Sequence, residues 1–561
     1  MPVLDLAQFV HDVTKPDILG NGVSLLLFQS VMFAGSSHCD IKPLRALGFL
    51  TRKAARRALY LKTKALYELE YEQNRLYVIQ SLAMMTYWYD TPDDQKDSTH
   101  WLVIALSLAR RGGLDQDMSD MNLSSYQRRM SRRIWWACVS RDAQCALGLK
   151  GPLALQFLDP EIPPLTVDDF ELGDVPEDAE AQFGYWPPLK HRLLRLASVA
   201  QCTLQVHLRS IFTKQYRLGA YRRRSADTGG KSSKMVLLPV TNQTTRDGLQ
   251  RLDQDLRTWR SSLPPELQDT ELTPDISEPA FEPFVVFRSF LHMLYHTCFI
   301  MIYRPWLPVK PQSDSFSADA ALQDKAQGIV RDSAHAITDI AIELHQLDLA
   351  RLLPQISLAT LLAAAVSHAC DIFCASEQMH RAGLRAFGQC THLMNELREN
   401  FYSADFSADF CKILAQARRF SEVSRPDMAS REWIGDGFDD QISRLSANWG
   451  YPLPSRGATP PTERQENIAA RVVNRPAPDA LDPQETVYDM NAEATTGNMR
   501  PSWAMDGESN RAYGDNHQSS QDVRYAFDAT FWDETVDLLG IPVAGFQPGL
   551  FESLGLEGVS M

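Results

Sequence analysis

Apolar residues recur at intervals of three and four almost without interruption as far as residue 424, while alternating apolar and polar runs bounded by turn residues are scarce. A period of 3.6 lines up one face of a helix, whereas a half-buried strand needs a period of two. The chain up to that point is therefore expected to be all-α. Residues 53–72, 75–90 and 98–111 read as successive helices, the last stopped by Gly112 and Gly113, which accept positive φ. Ser124 and Gln127 form a capping-box pattern that opens a helix running to about residue 148, with Met130, Ile134, Ala137 and Cys138 on its apolar face. Arg128, Arg129, Arg132 and Arg133 fall on the opposite face. Further helices are expected over 190–218, 246–262, 281–304, 318–347, 355–400 and 407–423. The acidic, proline-bearing stretch after Pro152 reads as a surface loop.

From residue 425 the pattern lapses into Pro, Asn, Ser and Asp, and no lysine follows Lys412. Residues 451–561 carry 17 acidic against 7 basic side chains, so −10 of the formal −14 lies there. Such a composition cannot bury enough apolar surface to offset its ordering entropy, and a mostly disordered acidic tail is expected. The predicted organisation is a first helical half over 1–220, a flexible basic linker over 221–245, a second helical half over 246–424 packed on the first, and the tail over 425–561.

With 44% hydrophobic and 22% charged residues, the chain has the balance of an ordinary globular protein. A net charge of −14 repels a phosphate backbone unless basic residues are segregated, so DNA contact would need a local explanation. The nine cysteines, scattered inside apolar helical stretches, read as buried thiols of a reducing compartment. The start carries Asp5, His11 and Asp12 where a secretion signal needs a basic and then an uncharged apolar region. Phe281–Tyr303 is the most apolar stretch, but Arg288, His292 and His296 interrupt it, so a core helix is expected and no membrane partner.

No catalytic, cofactor or metal site is expected. A structural zinc site needs four or more Cys or His converging on the metal. His368, Cys370 and Cys374 come nearest, and their LLAAAVSHACDIFCA setting is that of a buried helix. His292 and His296 have the i, i+4 spacing of a helical metal pair without the glutamate of HExxH. GGKS at Gly229 has Ser225 where a phosphate loop requires glycine, no GxSxG elbow occurs, and GNGVSL at Gly20 lacks the third glycine of a dinucleotide fingerprint.

Three polar features are candidate sites. Arg222, Arg223 and Arg224, with Lys231 and Lys234 downstream, form a candidate nuclear-import run. The arginine face Arg128, Arg129, Arg132 and Arg133 is suited to phosphate, to a partner's carboxylates or to the acidic stretch after residue 159. Residues 525–561 hold Phe527, Phe531, Trp532, Leu538, Leu539, Phe546, Leu550 and Phe551 among acidic side chains with no basic one. Acidic neighbours keep those apolar groups in water until they fold into a coactivator groove, which makes a candidate activation segment. Docking of this segment on the body is the alternative.

SLLLFQSVMFAG at Ser24, TYWYDTPDDQKDSTHW at Thr86, RRIWWACVSRD at Arg132, LRTWRSSLPPEL at Leu256 and YRPWL at Tyr303 together resemble the fungal-specific transcription factor domain of zinc-cluster regulators, also called the xylanolytic activator regulatory region. Within that family the chain looks nearest the cutinase transcription factor beta type. The resemblance spans roughly residues 1–420 and implies an all-α fold and a nuclear regulator of RNA polymerase II genes, with a metabolic or secondary-metabolite set as the expected targets. It also implies a DNA-reading cluster of six cysteines and two zinc ions. That cluster lies upstream of the matched part, and its ligands do not occur here, so DNA contact is expected only indirectly. The Gly-Arg-Pro turn that follows the Trp-Trp helix in the family is Leu149, Lys150, Gly151 and Pro152 here. Protein partners are expected: a coactivator, a related zinc-cluster factor or a second copy. Two other readings stay open, a DNA-free module that sequesters a related full-length factor, and an enzyme or small-molecule receptor with an interhelical cavity.

Overall fold

Side-chain caps fix where the early helices of the computed structural model begin. It describes residues 3–14, 23–89, 96–119, 121–159, 161–170, 188–222, 233–268, 281–307, 318–372 and 376–423. The first helices are α1 (Leu6–Thr14), α2 (Leu25–Gly35), α3 (Ile41–Ala46), α4 (Arg52–Glu68), α5 (Arg75–Met85) and α6 (Ser98–Arg111). Ser24, Thr51, Asn74 and Asp97 each accept a hydrogen bond from an amide of the following first turn, satisfying donors that have no partner within the helix. At the end of α6 only Gly113 takes a positive φ, 71°. Helix α7 (Ser125–Leu149) opens with the full capping box of Ser124 and Gln127.

Aromatic side chains cement these helices. Trp88 stacks on Tyr60 at 4.3 Å, and the Trp101 indole donates to the Tyr60 hydroxyl at 3.0 Å. Trp101 and Trp135 are fully buried, so truncating either to alanine would cost about 3–5 kcal/mol.

Helix α8 (Pro188–Gln215) is shorter than its periodicity predicts, because strand β1 (Tyr216–Arg222) replaces its last turn and pairs antiparallel with β2 (Ser233–Pro239). Residues 221–222 and 233–239 of the expected linker are therefore strand, and 223–232 lie outside the described residues. It is held from outside: the Leu237 amide donates to the Lys150 carbonyl and the Tyr216 hydroxyl to the Met301 carbonyl, at 3.0 and 2.7 Å.

The chain continues through α9 (Gln243–Ser261), α10 (Pro265–Gln268), α11 (Glu282–Tyr303), α12 (Ala318–Gln346), α13 (Ser357–Ile372), α14 (Glu377–Glu396) and α15 (Tyr402–Val423). The single helix expected over 355–400 is thus two, α13 and α14, packed side by side. Gly383 lies at that seam, where a Cβ would meet the His368 carbonyl oxygen at 3.0 Å.

Helix α11 packs on α8, α9, α12 and α13. It is long and apolar enough to span a membrane, yet 78% of its most apolar window is buried within the protein. Its polar residues are absorbed locally. His292 Nε2 meets the Leu267 carbonyl at 2.8 Å and Nδ1 faces the Arg260 guanidinium at 2.6 Å, so the ring donates from Nε2 and accepts at Nδ1. Burial, with the charge of Arg260, lowers its pKa to about 4 and keeps it neutral.

Arg56 of α4 ties the N-terminal helices to the C-terminal ones. It is buried, donates to the carbonyls of Asn400 and Tyr87, and sits over the Phe33 and Phe401 rings. Arg52–Glu399 and Lys53–Asp405 ion pairs flank it.

Candidate functional site

The C-terminal half of α7 carries a buried charge pair that positions the chain leaving the helix. Asp142 accepts from the amides of Ala154 and Leu155 at 2.8 and 3.1 Å and from Arg209 of α8. Burial pushes its carboxyl above the usual range, against the pull of Arg209 and the two amides. Lys150 ends α7 in the left-handed region, φ 50°, where glycine is the usual residue. That turn presents the Lys150 carbonyl to the hairpin and opens a space beside it.

The space is an interhelical cavity of about 200 Å³ lined by α7, the hairpin, the end of α11, the start of α13 and the start of α15. Leu147, Phe212, Ile356, Leu358, Leu362 and Phe406 form an apolar wall, while Arg141, Arg304, Lys150, Gln144 and Gln355 bring polar groups to it. Arg141 is buried, and its hydrogen bonds run to neutral acceptors: the Thr86 hydroxyl and carbonyl, each at 2.8 Å, and the Gln144 amide oxygen at 3.2 Å. Its guanidinium lies 4.1 Å from the Tyr87 ring centroid. Burial lowers the pKa of Arg304. Gln355 donates to the Ser403 hydroxyl at 3.0 Å, but its own amide oxygen is buried with no hydrogen-bond partner. A buried acceptor left open at a cavity wall is satisfied by water or by a ligand's donor. The volume is below the roughly 300–1,000 Å³ of drug-sized sites, so the cavity suits a small molecule with an apolar body and an oxygen-rich end. A larger hollow of about 480 Å³ between α8 and α9, with Leu196, Val199 and Trp259 in its wall, opens more widely to solvent and gathers fewer charged groups.

The sequence-derived candidates lie elsewhere. Arg132 and Arg133 do not form a solvated face. Arg132 pairs with buried Asp169 at 2.7 Å, and Arg133 is buried against the Leu4 carbonyl and the Phe170 ring. Arg128 donates to the Leu123 carbonyl at 2.9 Å, and Arg129 is half-buried. The physical reason is that part of the acidic stretch expected as a surface loop folds back on α7. Ile162, Leu165 and Asp169 are buried, and Trp136 donates to the Pro163 carbonyl at 2.8 Å. Of the basic run, Arg222 sits on β1 and Lys234 on β2, one register step apart, while Arg223, Arg224 and Lys231 lie outside the described residues. The acidic–aromatic segment 525–561 also lies outside them.

Cysteine chemistry has little room. Cys138, Cys390 and Cys411 are buried, and burial raises each thiol to about 12, far from the thiolate that metal ligation or nucleophilic attack needs. Cys374 lies outside the described residues. His368 is buried on Thr338, whose hydroxyl is 2.9 Å from its Nε2.

Sequence reading left an interhelical cavity open without naming its lining, although two of its cations sit in the segments that carry the family resemblance. Arg141 belongs to RRIWWACVSRD and Arg304 to YRPWL. An arginine inside an otherwise apolar helical stretch was the available signal.

Residues 2–182 match the fungal specific transcription factor domain. The chain is 34% identical over 416 residues to cutinase transcription factor 1 beta of Fusarium vanettenii, an alignment covering 73% of this chain and 47% of that protein. It is 28% identical over 516 residues to a transcription factor of Fusarium pseudograminearum, covering 89% of this chain and 52% of that protein. Transcription factor cpaR of Aspergillus oryzae is 28% identical over 430 residues, 75% of this chain and 69% of that protein. The chain therefore spans about half the length of the first two relatives.

Proposed function

The chain carries the fungal specific transcription factor domain over residues 2–182, and from that premise we propose that it is a nuclear regulator of RNA polymerase II transcription. The observation that carries this reading is its similarity to proteins named as transcription factors. DNA contact is supplied by a partner or by a zinc module, a reading supported by the internal engagement of the buried arginines and by the raised thiols of the buried Cys138, Cys390 and Cys411. The tail from residue 525 recruits coactivator through Phe531, Trp532, Leu538 and Leu539. Residues 500–561 fused to an unrelated DNA-binding domain should activate a reporter, and replacing those four residues with Ala should silence it. Full activity in the quadruple variant refutes the assignment.

A second reading concerns the cavity. Arg141 and Arg304 beside an apolar wall, with the open Gln355 acceptor, support binding of a small organic acid that also carries a hydroxyl donor. Native mass spectrometry of the purified chain should find such a molecule, and Ala359→Trp, which fills the cavity from α13, should lose it. Equal retention by the variant sinks this reading.

A further inference from the structure

Two histidines and a glutamate converge where α12 ends beside α14, away from every site described above. His345 lies in the last turn of α12, and His392 and Glu396 are one turn apart on α14. His345 Nδ1 is 3.1 Å from Glu396 Oε2, and His392 Nε2 is 3.4 Å from Glu396 Oε1. The candidate ligand atoms all lie within 4.8 Å of one another. The imidazole planes stand at 88° with centroids 5.3 Å apart, so the rings approach edge to face.

We propose that His345, His392 and Glu396 form a zinc site. Bonds of about 2.0–2.2 Å in a tetrahedron put neighbouring ligand atoms about 3.3–3.6 Å apart, and each imidazole nitrogen already lies near that distance from one of the two Glu396 oxygens, His345 at 3.1 Å from Oε2 and His392 at 3.4 Å from Oε1. Two imidazoles and one carboxylate are a donor set that borderline Zn²⁺ takes with a fourth position left for water. The side chains are 16%, 23% and 34% exposed, buried enough to be held and open enough for an ion to enter with its water. Loading the metal replaces imidazole protons that otherwise bridge to the carboxylate, and it clamps the end of α12 to α14.

A second cluster, His335, His368 and Asp371, gathers the same donor types and is a poorer host. Both Nε and Nη2 of Arg331 bind one oxygen of Asp371, at 2.9 and 2.8 Å, so a guanidinium already occupies the cation's place. Thr338 occupies His368 Nε2.

The test uses the full, untagged chain, stripped with chelator and dialysed against Zn²⁺ alone. One equivalent of zinc should be retained by elemental analysis, and saturating metal should raise Tm by roughly 3 °C. His345→Gln, His392→Gln and the isosteric Glu396→Gln should each weaken zinc binding at least tenfold, while His335→Gln should leave it unchanged. Far-ultraviolet circular dichroism of the metal-free variants confirms that each is folded. No retained equivalent, or zinc held as tightly by the three variants as by the parent chain, overturns the assignment.

Discussion

Replacing Arg209 with Met removes the cation paired to Asp142 and leaves a carboxylate whose side chain is 1% exposed facing only two backbone amides. Stranding one partner of a buried ion pair costs about 3–5 kcal/mol, because the remaining charge keeps its desolvation penalty and loses its compensation. Unfolding entropy of about 2.1 cal/mol/K per residue over roughly 350 described residues is about 0.74 kcal/mol/K, so the loss should appear as a Tm drop of about 4–7 °C. Asp142→Asn removes the charge and one of the two oxygens that accept from the Ala154 and Leu155 amides, setting an NH2 donor against the other amide, so it too destabilises. The double variant should recover part of the single losses, with a coupling of about 1.5–3 kcal/mol in a cycle read by thermal and urea unfolding.

The pH dependence of the same variant is a separate handle. A carboxyl whose folded pKa lies above its unfolded value penalises the fold above that folded pKa and is relieved as pH falls through it. Burial already raises Asp142, and removing Arg209 raises it further. The deficit of Arg209→Met relative to the parent chain should therefore shrink as pH is lowered from 7.5 to 5.5. A Tm change under 1 °C, strictly additive singles, or a deficit that grows on acidification would refute the reasoning.

Gly383→Ala places a Cβ 3.0 Å from the His368 carbonyl oxygen and 3.1 Å from the Ile372 nitrogen, backbone atoms that cannot swing aside. It should lower stability by about 1–3 kcal/mol in urea unfolding despite alanine's better helix propensity, and an unchanged or raised midpoint would show that the α13–α14 seam yields. Acidification acts through buried histidines. Burial and the charge of Arg260 hold His292 and His296 at about 4, and burial and His335 hold His368 at about 3, against about 6.5 unfolded. Each folded pKa is depressed, so the unfolded chain binds more protons in this window and stability falls as pH drops from about 6.5 to 4, by at most about 3 kcal/mol per group. A urea midpoint flat across that interval would refute it.

Local chemistry made much of the helical body legible: a 3.6-residue period, a capping box at Ser124 and glycine at 113 need only near neighbours. The hairpin at 216–239 was not legible, because its outside hydrogen bonds come from the Lys150 and Met301 carbonyls, remote in sequence. The arginine face was legible in part: the acidic stretch after residue 159 was one of three acceptors it suited, and Arg132 meets Asp169 of that stretch. Periodicity ranks faces of a helix by polarity, but it does not show that Asp169, 37 residues on, folds back to pair with Arg132. The cavity and the metal-ligand cluster are further cases. Gln355 is set by a contact with Ser403, and His345 meets residues of another helix, so only His392 and Glu396, four apart on α14, were visible as a pair.

The buried arginines then explain why the segments with the strongest family resemblance identify a fold more than a ligand. Arg56, Arg133 and Arg141 are each turned onto backbone carbonyls of a different segment: Asn400 and Tyr87, Leu4, and Thr86. Arg209 is spent on Asp142 and the Leu155 carbonyl. A guanidinium has five donors in a rigid fork, so one arginine can close several open carbonyls where helices end and cross. Burial lowers Arg56 and Arg133 to about 10, which still leaves them charged at neutral pH. Cations used this way cannot release counterions from DNA, since they never reach a phosphate. A sequence rich in arginine motifs thus builds a body that scaffolds, and any grip on nucleic acid must come from groups these seams do not consume.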